Sequence, residues 1–231
     1  MPAAPMNTEN APAATLMPIF AIPFAEVTLP VDSALNESLA ALLTARATEE
    51  RRESGARRDP LCYLSREELF EWQDEPVAAL RGELLAGLCP AVLTTTLHSE
   101  AEFDQLGVQA RARFAIIRPD GCLPAQTLAL ASWCAIYCVA APLAPAGRAD
   151  SGLLRLYESR LGAMFADATT WRMRPPFAGG HHLWRPKPGS MAVFPAHLAH
   201  EVALNRGDHD LVLVIARARF ATPGQQASPP W

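Results

Sequence analysis

The side chain in this chain best suited to metal or acid–base chemistry is His200, in the run Pro186-Lys-Pro-Gly-Ser-Met-Ala-Val-Phe-Pro-Ala-His-Leu-Ala-His-Glu-Val-Ala-Leu-Asn205. On a strand starting near Leu198, His200, Val202 and Leu204 share one face while Glu201 and Ala203 share the other. A neutral imidazole set among aliphatics suits a divalent metal. It equally suits a core histidine that donates to a backbone carbonyl. His181 and His182 are adjacent, so an extended chain sends them to opposite faces, and at most one can join His200. Asp120 and Cys122 form an i, i+2 pair that could supply ligands, although Asp120-Gly121 also reads as an ordinary turn. Arg155, Arg160, Arg172, Arg174 and Arg185 could grip a carboxylate bidentately, and with Trp171 and Trp184 nearby they suggest an amphipathic lid over an anionic or aromatic ligand.

The elements that position these residues follow from the pattern of apolar side chains. Pro188-Gly189 marks a turn. Met191 to Phe194 reads as a buried strand, ended by Pro195, which cannot donate to a ladder. Further β-type runs are predicted at 92–97, 113–117, 131–139, 153–157, 198–204 and 211–220. The segment Leu16 to Ala25 reads as a first edge strand or extended segment. Upstream, Asp32-Ser33 predicts a helix with Leu35, Leu39, Leu42 and Leu43 on one face. Ser65-Arg-Glu-Glu68 predicts the capping box of a second helix, which continues through Val77, Leu80, Leu84 and Leu88 and stops at Pro90. Residues 161–185 read as a lid-like insertion over the site. Domain limits follow: a disordered head over 1–15, one domain over 16–220, and a disordered tail over 221–231.

The segment around His200 resembles the C-terminal half of the Fe(II)/2-oxoglutarate oxygenases, in its Pro-Gly turn, its Phe-Pro strand end, and its histidine followed by Val and Asn. Ser132-Trp-Cys-Ala-Ile-Tyr137 and Ser151-Gly-Leu-Leu-Arg-Leu-Tyr-Glu-Ser-Arg160 resemble two further strands of that family, in the right order. The resemblance implies an α+β chain built on a double-stranded β-helix, a jelly-roll or cupin-like barrel with N-terminal helices packed outside. It implies His200 as iron ligand, Arg155 and Asn205 near the cofactor, and Fe(II) with 2-oxoglutarate as cofactors. The substrate would be a small metabolite, an amino acid or a peptide. The chain departs from the family where the remaining ligands should stand, at Pro124 and Gln126, and where the carboxylate-binding arginine should stand, at Asp210. Because a 2-His-1-carboxylate triad gives Fe(II) its open positions, the expectation is an oxygenase-like protein with iron held through His200 and unconventional partners in place of ordinary 2-oxoglutarate chemistry. Two other outcomes stay open. One is an enzyme without metal that uses His200, Tyr137 or Glu158 for acid–base work; the other is a silent relative that binds a ligand or scaffolds a partner, with no cofactor.

With 231 residues the chain can bury a sizeable core. A formal net charge of −4 argues against a nucleic-acid surface. Five cysteines without a C-x-x-C pair fit reduced thiols in the cytoplasm. No apolar run in the sequence reads as a membrane anchor, and a homodimer is left open.

Overall fold

Alternation of apolar residues sorts the β-type runs into two layers, and the computed structural model, which describes residues 21–54, 59–128, 130–158 and 180–222, contains both. A six-stranded antiparallel sheet has the order β1-β8-β5-β10-β3-β2, and a four-stranded sheet the order β4-β9-β6-β7. The strands are β1 (Ala25–Thr28), β2 (Cys62–Leu64), β3 (Gly107–Ile117), β4 (Leu123–Gln126) and β5 (Trp133–Ala140). They continue with β6 (Leu154–Tyr157), β7 (His181–Trp184), β8 (Ser190–Pro195), β9 (Ala199–Val202) and β10 (Leu211–Ala221). Strands β3 to β10 alternate between the sheets at almost every step, which is the expected double-stranded β-helix. β3 and β10 are its long axis, in register from Leu211↔Ile117 to Ala221↔Gly107.

Each strand of the large sheet serves two cores, because successive side chains point to opposite faces. Phe114, Ile116, Tyr137, Val139, Val212 and Val214 face the helices. Ala115, Ile117, Cys134, Ile136, Leu213 and Ile215 face the small sheet, where they meet Leu154, Leu156, Trp184, Leu198 and Val202. The outer layer is α1 (Ser33–Ala45) and α2 (Glu75–Leu93), with a short α3 (Glu100–Phe103). α1 starts where Asp32 predicts, the carboxylate accepting from the Leu35 N–H at 2.8 Å. α2 is apolar and long enough to cross a membrane by composition. Its Val77, Leu80, Leu84, Leu88 and Val92 are buried in the core against the large sheet.

Several boundaries differ from the sequence reading. The second helix starts after Asp74, not at Ser65. The Ser65 hydroxyl accepts from the Phe114 N–H instead, tying the chain to β3. The capping box belongs to α3, between Ser99 and Glu102. Pro90 does not stop α2, since it falls in the last turn and its carbonyl still accepts from Thr94; the strand predicted over 92–97 is that helix end and its turn. The first strand begins at Ala25, where the sequence reading ended it. β2 and β4 are too short for periodicity to show. His181–Trp184 is strand β7 rather than the end of a lid, with Trp184 buried between the sheets. The rest of the predicted lid, the head and the tail lie largely outside the described residues. The Pro188-Gly189 turn is present: Gly189 takes φ +85°, its N–H donates to Cys138, and its carbonyl accepts from Leu29.

Candidate functional site

His200 lies on β9 as predicted, with its side chain fully buried between the sheets beside Val202, while Leu204 falls beyond the strand and is exposed. Its neighbours in register are Leu156 on β6 and Gln126 on β4. The ring packs edge-on against Phe194 of the large sheet, 5.2 Å between centroids. Nδ1 lies 3.0 Å from the Leu198 carbonyl. A carbonyl only accepts, so Nδ1 carries the proton, and in the neutral ring Nε2 is left as a lone pair. That Nε2 is buried with no hydrogen-bond partner. Burial first, and then the nearby Arg113 charge, hold the imidazole below the usual histidine value, against the raising effect of the Leu198 bond.

Arg113 is the cation that faces it. β3 carries Arg111-Ala112-Arg113 and β10 carries Arg217-Ala218-Arg219. Alternation puts Ala112 and Ala218 under the helices and the four arginines on the inner face. Arg113 is 9% exposed. Its Nη2 donates to the Gln126 side-chain oxygen at 2.7 Å, reaching across from the large sheet to the small one. Its Nε, and the Gln126 amide nitrogen, are buried without hydrogen-bond partners. Arg217 lies opposite Arg111 on one side and Cys134 on the other, and pairs with Glu67. Burial and the neighbouring Arg113, Arg111 and Arg219 lower its guanidinium, and Glu67 opposes them. The inner face here therefore carries four arginines, Arg217 among them paired with Glu67, and buried polar atoms of Arg113, Gln126 and His200 stand on it without hydrogen-bond partners.

The other predicted site residues are not brought to this place. Tyr137 is on the opposite face of the large sheet, buried under α1, with its hydroxyl donating to the Asn36 oxygen at 2.7 Å. Burial pushes that phenol up to about 12. Arg155 faces outward from the small sheet and pairs with Glu201 at 3.2 Å, which also accepts from Tyr157 at 2.7 Å. Asn205 is spent on a turn: its amide donates to the Ile117 and His209 carbonyls, and its oxygen accepts from the Gly207 N–H. Glu158 stands just past β6, its N–H donating to the Gly180 carbonyl. Asp120 pairs with Arg206. Asp210 precedes Leu211, which pairs with Ile117, so it lies at the end of β10 away from the arginines. Cys134 and Cys138 face inward, but burial holds both thiols protonated, so neither offers a thiolate.

His200 alone is built as a metal ligand would be, with one nitrogen held by a carbonyl and the other open. The remaining residues do not fit iron. Its register partner is an amide engaged by a guanidinium, the charge of that guanidinium disfavours a second cation nearby, and no group of three His, Cys, Asp or Glu converges among the described residues.

No protein-family profile and no curated protein matches the sequence. Solved structures do match the fold. The non-heme α-ketoglutarate-dependent carbocyclase SnoK of nogalamycin biosynthesis superposes with a TM-score of 0.56 at 12% identity, over 90% of this chain and 85% of that one. AviO1 from Streptomyces viridochromogenes gives 0.54 at 17% identity, covering 89% and 92%. A prolyl-4-hydroxylase from Pseudomonas putida gives 0.52 at 16% identity, covering 86% and 93%. The chain thus has the double-stranded β-helix fold that these structures share.

Proposed function

We propose that this protein is an oxygenase-like β-helix whose mouth holds a small anionic metabolite, a carboxylate above all, and does so without iron. The reading rests on the Arg113 to Gln126 hydrogen bond opposite His200. Arg113 Nε–H and the Gln126 amide are buried donors without a protein acceptor, the kind of group a carboxylate satisfies, and Arg111, Arg217 and Arg219 share their face of the large sheet, Arg217 being paired with Glu67. Fold alone does not carry activity. The donor set favours the reading without metal over an iron-centred oxygenase.

Thermal unfolding in the presence of a chelator tests this, with a panel of mono- and dicarboxylates and sulfate as control. Saturable stabilisation by one or more carboxylates is expected. Because a buried guanidinium costs stability when its ligand is away, Arg113→Met should keep or raise the Tm of the free protein while removing the ligand response. A panel with no effect, together with stabilisation by Fe(II), would overturn the reading.

A further inference from the structure

The outer face of the small sheet, the side opposite His200, carries a cavity of about 230 Å³. Five charged side chains line it: Arg148 and Asp150 from the loop before β6, Arg155 on β6, Glu201 on β9, and Arg206 beyond β9. Two of the arginines are already paired. Arg155 Nη1 donates to Glu201 Oε1 at 3.2 Å, and Arg206 Nη1 donates to Asp120. Neither bond uses the second Nη of its arginine or Glu201 Oε2. Arg148 and Asp150 have no side-chain partner among the described residues, and they do not pair with each other. The cavity thus presents one uncommitted cation and one uncommitted anion. The loop that carries both is fixed to its surroundings. The Arg148 N–H donates to the Pro145 carbonyl and the Ser151 N–H to the Arg148 carbonyl, each at 3.0 Å. Ser151 Oγ accepts from the Arg206 N–H at 2.8 Å, and the Arg185 guanidinium donates to the Ala149 and Ser151 carbonyls. A site ordered before binding loses less freedom on binding. Pro124 and Leu204, both exposed, supply an apolar wall. The volume lies below the roughly 300–1,000 Å³ of sites for drug-sized molecules, so the occupant is small.

We infer that this cavity binds a free α-amino acid, at a site separate from the carboxylate on the inner face. Its carboxylate lies on Arg148 and the spare N–H groups of Arg206, its ammonium on Asp150 and Glu201 Oε2, and its side chain against Pro124 and Leu204. A simple carboxylate leaves Asp150 without a partner, and a simple amine leaves Arg148 without one; a zwitterion answers both. A peptide carries those two charges at opposite ends of its chain, too far apart for a cavity of this size.

Calorimetric titration of the full chain with glycine, L-alanine, L-leucine and L-phenylalanine tests this, each compared with its N-acetyl derivative, which lacks the ammonium, and its amide, which lacks the carboxylate. At least one amino acid should bind about ten-fold or more tightly than both derivatives. Arg148→Gln should erase the advantage over the amide, and Asp150→Asn the advantage over the N-acetyl form; both side chains are exposed, so the fold is not at stake. Cys122 lines the cavity and is half-buried, so the bound amino acid should also slow its alkylation while leaving that of Cys89 on α2 unchanged. Arg113→Met should bind the amino acid as the wild type does. No binding by any of the four, equal binding of the derivatives, or an undiminished preference in Arg148→Gln and Asp150→Asn overturns the inference. Binding that is lost in Arg113→Met and kept in Arg148→Gln also overturns it, and assigns the ligand to the inner face instead.

Discussion

Two residues that invite catalytic roles from sequence, His200 and Tyr137, separate cleanly in the fold, and each has its own test. Tyr137 points under α1, where its hydroxyl satisfies Asn36. Tyr137→Phe leaves the Asn36 oxygen buried and unpaired, so urea unfolding should show a loss of about 1–3 kcal/mol, with carboxylate binding unchanged. Loss of ligand binding without loss of stability would return Tyr137 to the site. His200 is buried neutral, with a folded-state value below the ordinary one near 6.5. Below that pH the unfolded chain takes up a proton that the folded chain resists. Stability attributable to this group is therefore full above about pH 6.5 and falls as the pH drops toward the folded value, with a slope of at most about 1.4 kcal/mol per pH unit. Urea midpoints between pH 5 and 7 should show that slope in the wild type and a shallower one in His200→Phe. Equal slopes would mean that His200 does not titrate with unfolding.

Among the elements, strands and caps with strong local chemistry were readable and the short ones were not. Asp32 caps α1 as its sequence indicates; Asp32→Ala should cost about 1 kcal/mol, a fall in Tm of roughly 2–4 °C by calorimetry. An unchanged Tm would mean the cap is replaced by solvent. The S-x-x-E signal at Ser65 misled because Ser65 is drawn into the β3 ladder, so tertiary pairing overrode a local motif. β4 was missed because its four residues are too few for a period to show, yet it delivers Gln126 beside His200. The arginines had a legible signal in the paired Arg-Ala-Arg triplets, whose period of two places both arginines of each on one face. Knowing that β3 and β10 are neighbours was needed to join them into a cluster. Arg155 and Asn205 followed a family pattern that the pleat and the turn redirect, outward in one case and into backbone carbonyls in the other.

For the molecule as a whole, the β-helix holds an arginine–glutamine pair and one buried histidine between its sheets. Two structures that share the fold are described as α-ketoglutarate-dependent and as a prolyl-4-hydroxylase. On the proposed reading, the fixed cation at this place serves anion recognition in place of metal coordination. The most direct test is to titrate the binding carboxylate calorimetrically into wild-type protein twice, once in chelator and once anaerobically with excess Fe(II). The same affinity and a stoichiometry near one in both titrations are expected, with binding lost in Arg113→Met. Binding that appears only with Fe(II), and disappears in His200→Ala while surviving in Arg113→Met, would contradict the account.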